Sequence, residues 1–257
     1  VMATGLDDHE MIEIPSPFEE AEPERRHVSR SELIGVMRPR MEEILEAGRT
    51  LGLEPAARDD RKTDWSAVLA RTPDGRGWVS LVTTLPNRLV GDALAAGRLD
   101  ELAEWDVERS EPSLGGSRLD FLLVRDERRM ALEVKSVSLE RRGVGLFPDA
   151  VTDRGTRHLH ELTAIAGRAG WEAAVLFVVQ RDDVRAVTAA PDIDPDFARA
   201  LEEARTAGVR VLARRCRVTR RGVALGPALP TPHPESAPPP GDTTGPDRAA
   251  PAGARSS

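Results

Sequence analysis

The sequence contains a single cysteine, Cys216, no tyrosine, and only two lysines, Lys62 and Lys135. One cysteine excludes a disulfide framework and a cysteine-rich zinc module. No apolar run approaches the roughly 18 residues that a membrane-crossing helix needs, and residues 1–10 lack the basic and apolar regions of a secretory signal. We therefore expect a cytoplasmic protein without a membrane partner.

Arginine supplies every other basic residue, and the formal net charge is −7. The chain as a whole therefore lacks the net positive charge that is typical of nucleic-acid-binding proteins. Positive charge confined to one segment would still permit DNA binding. Aromatic residues make up only 4% of the chain, which disfavours stacking on single-stranded bases and favours contact with the DNA backbone. In a chain with so little lysine, Lys135 is a candidate for a position where arginine cannot serve.

The length of 257 residues fits one large domain or two small ones. Residues 1–30 are acidic and punctuated by proline, and residues 230–257 are rich in Pro, Ala, Gly, Ser and Thr. We therefore predict a poorly ordered start and a disordered tail. Apolar residues at helical spacing predict a helix over residues 31–48 that breaks near Pro39.

Between these segments the sequence alternates between strand and helix patterns. Apolar segments at 65–71 and 78–84 flank Pro73-Asp74-Gly75 and predict a β-hairpin. Further strands are predicted over 118–124, 130–139, 173–179 and 209–213, and helices over 87–96, 153–169 and 194–207. The continuous apolar run at 173–179 is typical of a strand buried on both faces. This order predicts an α/β fold with a mixed sheet flanked by helices.

Two of these strands, joined by a charged turn near residue 127, carry Asp120, Glu133 and Lys135. Residues two apart in a strand point to the same side, so Glu133 and Lys135 share a face while Val134 enters the core. Reflection about the turn places Asp120 opposite Val134, and one register step in either direction places it opposite Glu133 or Lys135. Two carboxylates and one ammonium group are therefore predicted to meet.

This combination suits hydrolysis of a phosphodiester bond. Mg²⁺ and Mn²⁺ prefer oxygen ligands, and Asp120 and Glu133 supply two carboxylates. Lys135 is a compact charge for stabilising a developing oxyanion or positioning water, and a planar guanidinium is a poor substitute for it. The alternative is a solvated strand face, on which glutamate and lysine commonly alternate.

Four longer segments are distinctive: SRLDFLL at 117–123, EVKSVSL at 133–139, FPDAVTDRG at 147–155 and VLFVVQR at 175–181. The shorter LPNRLV at 85–90 and IDP at 193–195 accompany them. Together they resemble the sugar fermentation stimulation protein (SfsA) family over residues 65–230, about two-thirds of the chain.

The resemblance implies a nuclease-like domain over residues 87–229, with the restriction-endonuclease-like PD-(D/E)XK fold, preceded by a small OB-like β domain over residues 31–86. The segment IPSPF at 14–18 resembles the opening of the family. The barrel strands that should follow it are not recognisable, and the predicted helix at 31–48 stands in their place. The OB-like domain therefore departs from the family pattern.

The resemblance also implies DNA binding with little sequence preference and a regulatory role in sugar (maltose) metabolism. Asp120, Glu133 and Lys135 fall on the nuclease-fold motif as its catalytic residues. Glu111, or the nearby Glu108, matches the acidic residue that precedes the motif, which adds Glu111 to Asp120 and Glu133 as a metal ligand.

Basic residues near this motif are candidates for contact with DNA phosphates. Arg154 and His158 lie four apart on one helix face, with Arg157 beside them, and the N–H groups of a helix start can hold a phosphate. Arg118, two residues before Asp120, is a further candidate. The alternative for the helix is a solvated face.

A second basic segment lies near the end of the predicted domain. Residues 205–221 contain seven arginines and no acidic residue, and we single out Arg214, Arg215 and Arg217. Such a segment fits salt-dependent contact with the duplex backbone. An edge strand that charge protects from aggregation is the structural alternative.

These residues support two principal hypotheses. The first is hydrolysis of DNA that depends on Mg²⁺ or Mn²⁺ and on Asp120, Glu133 and Lys135, with Arg154 and His158 orienting a phosphate. The second is a non-enzymatic DNA-binding regulator that keeps the geometry of the site. A weaker third is a metal-dependent enzyme that acts on a small phosphorylated metabolite.

Overall fold

The computed structural model describes residues 11–12, 51–55, 65–72, 74–114 and 116–236. The helix predicted over 31–48, and most of the segments 1–30 and 230–257, lie outside the described residues. None of the helices in the described part of the chain combines the length and the apolarity that a membrane crossing needs.

The described elements follow the predicted alternation of strand and helix. In chain order they are β1 (Met11–Ile12), β2 (Leu51–Pro55), β3 (Trp65–Arg71), β4 (Trp78–Ser80), α1 (Leu85–Ala95), a 3-10 turn (Asp100–Leu102), β5 (Asp106–Ser110), β6 (Ser113–Leu114), β7 (Ser117–Arg118), β8 (Phe121–Arg125), β9 (Arg128–Val137), β10 (Leu139–Arg141), β11 (Val144–Phe147), α2 (Asp153–Ala166), β12 (Trp171–Val179), β13 (Ala186–Ala189), α3 (Pro195–Thr206), β14 (Arg210–Thr219), β15 (Gly222–Ala228) and a 3-10 turn (Pro234–Ser236).

A six-stranded mixed sheet organises the fold, in the order β15-β14-β12-β9-β8-β5. The central strands β9, β12 and β14 are parallel, β8 and β15 flank them antiparallel, and β5 pairs antiparallel with β8 at the edge. The predicted mixed α/β fold is therefore confirmed. A smaller sheet contains β10, β11 and β13, and the predicted hairpin of β3 and β4 belongs to an antiparallel sheet with β1 and β2.

Side chains of β12 alternate between two hydrophobic cores, one on each face of the sheet. Leu176 and Val178 belong to the core that α1 covers, whereas Val175 and Phe177 belong to the core that α2 and α3 cover. All four are at most 1% exposed, which confirms that this strand is buried on both faces. The sheet therefore has helices on both sides, as predicted.

Asp194 fixes the starts of both helices in the second core. Its Oδ1 accepts a hydrogen bond from Phe197 N at 2.9 Å and caps α3, as predicted, while its Oδ2 accepts from Thr152 N at 2.8 Å. Thr152 Oγ1 in turn accepts from Gly155 N at 3.0 Å and caps α2. A Cβ at Gly155 would lie 2.8 Å from Thr152 Cγ2, so glycine permits this close approach. The start of α2 is thereby held against the sheet.

The strand predicted over residues 209–213 is longer in the structure than the sequence predicted. The prediction ended it at residue 213, but β14 continues to Thr219 and pairs with β15. The arginines of this segment had predicted that it lies at the surface. Arg214 is instead buried in β14 and paired with Glu101, with Arg214 Nη2 2.5 Å from Glu101 Oε2. Burial acts to raise the pKa of Glu101, but the hydrogen bond and charge of Arg214, together with a backbone hydrogen bond and the charge of Arg210, outweigh it and lower that pKa.

Glu101→Leu is expected to lower the free energy of unfolding by about 3 kcal/mol, because it leaves a buried guanidinium without its partner. The double variant Glu101→Leu with Arg214→Met should recover most of this loss, since it removes both charges. Urea denaturation of both variants and the parent protein measures the effect.

Arg199→Met serves as the matched control, because the pair of Arg199 with Asp196 has side chains 62% and 75% exposed. Its removal is expected to change stability by less than about 0.5 kcal/mol. Equal losses in the buried and the exposed pair would contradict the structural role given to Arg214.

Candidate active site

The hairpin of β8 and β9 sets the position of Asp120. Phe121 pairs with Leu132 and Arg125 with Arg128, so the same register continued by one residue places Asp120 across from Glu133. The predicted turn centre was therefore half a residue too late, and the alternative register with Glu133 is the one observed. Asp120 directly precedes β8, and its side chain lies toward β9.

Glu133 and Lys135 share one face of β9, as their spacing predicts, and Val134 belongs to the core on the opposite face. Lys135 Nζ donates to Glu133 Oε1 at 2.7 Å. The Lys135 side chain is only 11% exposed and that of Glu133 only 5%. The lysine and the glutamate therefore form a nearly enclosed ion pair, which excludes the solvated strand face.

His158 of α2 contacts the same carboxylate, that of Glu133. His158 Nδ1 lies 2.5 Å from Glu133 Oε1, and Arg154 Nε donates to His158 Nε2 at 3.4 Å. Arg154 and His158 thus share a helix face, as predicted. His158 is 2% exposed, so its burial argues against contact with a DNA phosphate and makes it a positioning residue for Glu133.

Asp120 is held by two donors from different elements. Its Oδ1 accepts from Asn87 Nδ2 of α1 at 2.5 Å, and its Oδ2 accepts from the main-chain N–H of Val134 at 2.7 Å. Sequence reasoning did not identify Asn87 as a site residue. Its presence in the distinctive segment at 85–90 was the only available signal. These two bonds fix the Asp120 carboxylate beside the strand that carries Glu133.

The two carboxylates differ in their acidity. Burial, followed by the charge of Glu133, raises the pKa of Asp120 to about 6. Burial acts to raise the pKa of Glu133 as well, but the hydrogen bond from His158 and the charge of Lys135 outweigh it and lower that pKa. Neighbouring carboxylates whose environments separate their pKa values are typical of catalytic sites.

The donor set offers part of a metal site. Glu133 Oε2 is buried and has no hydrogen-bond partner among the described residues, and a buried carboxylate oxygen left in this way suits a hard divalent cation. The described part of the chain contains no group of three or more His, Cys, Asp or Glu side chains placed to hold a metal. Asp120 and Glu133 therefore fit such a cation as two ligands of an incomplete shell.

Glu111 lies beside Asp120 through its backbone. Its N–H donates to the Asp120 carbonyl oxygen at 2.8 Å, but its carboxylate pairs with exposed Arg118 at 2.5 Å. Glu108, the alternative acidic residue, binds Arg129 instead, at 2.9 Å. Glu111 is therefore the better placed of the two, and a metal role requires its carboxylate to leave Arg118.

The predicted basic residues divide by exposure. Arg118, Arg154, Arg157 and Arg217 are exposed, but Arg118 is already paired with Glu111. Arg215 is half-buried, and its Nη1 donates to the Val184 carbonyl oxygen at 3.2 Å. Arg214 is buried in its ion pair, which argues against direct contact with DNA. The arginines of 205–221 thus do not form one continuous patch.

A cleft of about 620 Å³ opens beside this site. Lys135 and Arg154 lie in its lining, as do polar residues at the end of β12 and the segment that joins β11 to α2. Lys135 thus connects the buried Glu133 carboxylate with a space large enough for a substrate group.

Comparison with known proteins follows the same part of the chain. The family model described as "Sugar fermentation stimulation protein RE domain" matches residues 84–222, a range that includes every predicted site residue. A sugar fermentation stimulation protein homolog from Shouchella clausii is 44% identical over 191 residues, which are 74% of this chain and 82% of that protein. A homolog from Moorella thermoacetica is 44% identical over 190 residues, which are 72% of this chain and 80% of that protein.

A solved structure is also similar. It is described as the structure of Pyrococcus furiosus SfsA in complex with Ca²⁺. The two chains superpose with a TM-score of 0.67 and 26% identity, over 75% of this chain and 82% of the other. The likeness therefore extends beyond the residues that the family model matches.

Proposed function

The chain belongs to the sugar fermentation stimulation protein family, and from that premise we propose that it is a DNA-binding protein with a divalent-metal nuclease-type site. In this proposal residues 87–229 form a restriction-endonuclease-like domain of the PD-(D/E)XK kind. Residues 31–86 form a divergent OB-like domain, a proposal that the antiparallel pairing of β2, β3 and β4 supports.

One observation carries the proposal: Asp120, Glu133 and Lys135 converge beside an open cleft, and the buried Glu133 Oε2 has no hydrogen-bond partner within the described residues. Asp120 and Glu133 would hold Mg²⁺ or Mn²⁺. The cation would polarise a phosphoryl oxygen and generate a hydroxide-like nucleophile. The Ca²⁺ in the Pyrococcus furiosus relative supports a hard divalent cation for this chain as well.

The protein's own residues have distinct parts in this reaction. Lys135 neutralises charge that develops on the phosphate, and Asn87 and His158 keep the two carboxylates in place. The exposed guanidinium groups of Arg154 and Arg157 contact backbone phosphates next to the reacting one, while Arg118 must exchange Glu111 for phosphate. Arg217 adds contact with duplex DNA. These contacts carry little sequence information.

Supercoiled plasmid and a labelled oligonucleotide test this function. We expect cleavage with Mg²⁺ or Mn²⁺, and no cleavage above background when a chelator replaces the metal. Glu133→Gln should be inactive, whereas Glu172→Gln should cleave normally, because Glu172 pairs with Arg128 at the far end of the sheet. Absence of cleavage by the wild-type protein with either metal would remove the catalytic claim.

A non-enzymatic DNA-binding regulator of sugar metabolism is the alternative. It is favoured by the ion pair of Lys135 and the hydrogen bond of His158 on the same Glu133 oxygen, since they neutralise this carboxylate without a metal. A regulator should bind duplex DNA in the presence of chelator, with an affinity that falls steeply as salt rises. Lack of any DNA affinity at low salt would leave both functions without support.

A further inference from the structure

The cleft beside Lys135 contains a polar pocket that the proposed chemistry does not use. Ser80 and Gln180 both line the cleft and are each 1% exposed. They are adjacent, because Ser80 N donates to the Gln180 carbonyl oxygen at 2.9 Å. The pocket thus joins the end of β4 to the end of β12.

Two buried atoms of this pocket lack hydrogen-bond partners. Gln180 Nε2 donates to the Val82 carbonyl oxygen at 3.1 Å and to Ser136 Oγ at 2.9 Å, which fixes the orientation of the amide. Gln180 Oε1 and Ser80 Oγ are buried and have no partner among the described residues. A buried acceptor left in this way is costly, so it points to a donor that arrives with a ligand.

The rest of the lining has the chemistry of a nucleotide site. Leu81 and Pro148 provide apolar surface, and Val151 at the rim is 71% exposed. Lys135 and Arg154 add two cations, and Asp149 adds one carboxylate. The lining therefore combines an apolar wall for a planar ring, a buried acceptor for its edge and positive charge for a phosphate.

We propose that this cleft binds one unpaired nucleotide of the DNA, with its phosphate toward Lys135 and Arg154 and its base at Ser80 and Gln180. The volume of about 620 Å³ lies within the usual range for small-molecule sites, about 300–1,000 Å³. Because Gln180 Oε1 accepts a hydrogen bond, the pocket favours a base that presents an amino group. This inference rests on the proposed function, since it identifies the part of the substrate next to the reacting phosphate.

Binding of deoxycytidine and deoxyuridine monophosphates to the full-length chain tests the proposal. The two differ at the base position where cytosine has an amino group and uracil a carbonyl. Calorimetry with chelator present measures binding without hydrolysis. We expect the cytidine nucleotide to bind at least about fivefold more tightly, and Gln180→Leu to reduce this preference below twofold.

Ser80→Ala is the second variant, because it removes only an unpartnered hydroxyl and should leave the melting temperature unchanged or raised. It should weaken binding of the cytidine nucleotide about threefold. Equal affinity of the wild-type protein for both nucleotides, no binding of either, or inorganic phosphate that binds as tightly as the nucleotides would overturn the proposal. Since no metal is present, this outcome is separate from plasmid cleavage, and either claim can fail alone.

Discussion

Lys135→Met is expected to lower the rate of metal-dependent DNA cleavage by about 10²–10³-fold, the usual loss when one group that stabilises transition-state charge is removed. The Lys135 side chain is 11% exposed, so its charge acts where water screens it little. Methionine retains the length and the apolar stem of lysine, so the strand and the cleft wall should persist. Single-turnover cleavage of a labelled duplex measures the rate without a contribution from product release.

Lys135→Arg tests why lysine occupies this position in a chain that otherwise relies on arginine. The guanidinium retains the positive charge, but it is planar and bulkier, and the short contact of Lys135 Nζ with Glu133 Oε1 would have to be rebuilt. We expect this variant to retain less than about a tenth of the wild-type rate. Single-turnover rates at saturating protein separate this loss of rate from any change in DNA affinity.

Arg128→Met is the matched control for the loss of a cation. Arg128 lies on the same strand, seven residues before Lys135, or about 23 Å at the usual rise of a β-strand. Its side chain is 49% exposed and pairs with Glu172. Normal cleavage by Arg128→Met together with the loss in Lys135→Met would support the assignment, and wild-type rates in both would contradict it.

The local part of the site could be predicted from strand geometry. Glu133 and Lys135 share a face because side chains alternate along any strand, and the apolar residues around them predicted the strand. For Asp120 the sequence predicted Val134 as the partner, with Glu133 or Lys135 one register step away, because the charged residues 125–129 give no single position for the centre of the turn. Asp126, at φ 53° in the turn, completes a tight connection that places Asp120 across from Glu133.

The hydrogen bonds that hold the two carboxylates in place come from elements far away in the sequence, and no local sequence pattern predicts them. Asn87 is 33 residues from Asp120, and His158 is 25 residues from Glu133. For His158 a signal existed, since Leu162 and Ile165 follow it at spacings of four and three and form the buried stripe of α2. Its spacing from Arg154 was correctly interpreted as a shared face, but the adjoining apolar stripe shows that this face is partly buried.

The basic segment 205–221 shows how composition misleads when charges have partners in space. Arg210 Nη2 donates to the Glu101 carbonyl oxygen, and Arg214 pairs with the Glu101 carboxylate, more than a hundred residues away. A sequence window that contains no acid cannot reveal an acid supplied by another part of the fold. Exposure therefore decides which of the arginines are available to DNA, and Arg217 is one of those that qualify.

Asp120→Asn is expected to stabilise the metal-free protein while it abolishes cleavage. Burial and the nearby Glu133 raise the pKa of Asp120 to about 6 from its ordinary value of 3.8, so ionisation of Asp120 opposes folding. The penalty is fully present above about pH 6, shrinks as the pH falls from 6 toward 3.8, and is lost below 3.8, where the carboxyl is protonated in both states. This rise in the pKa corresponds to a loss of at most about 3 kcal/mol in the free energy of unfolding. Because Asp120 is only partly buried, we expect Asp120→Asn to gain about 2 kcal/mol at pH 8.

Urea denaturation in chelator at several pH values measures this effect as the difference between the two proteins. Neither curve alone is sufficient, because Glu101 and Glu133 have lowered pKa values and their stabilising charges are lost as the solution becomes acidic. Asparagine can still accept the hydrogen bond from Val134 N, and the Asn87 amide can turn to meet the new amide. We therefore expect the stabilisation seen at pH 8 to be small at pH 4 and to vanish below the ordinary pKa of 3.8.

The control for this variant is Asp126→Asn, an exposed position in the same hairpin that tolerates asparagine at positive φ. It should change the free energy of unfolding by less than about 0.5 kcal/mol at every pH. A destabilised Asp120→Asn protein, or one with the wild-type rate of cleavage, would contradict the role given to Asp120. A site that holds two carboxylates close together for a cation should gain stability and lose cleavage when one of them is replaced. The repulsion between the two carboxylates is relieved either by binding the cation or by removing one charge.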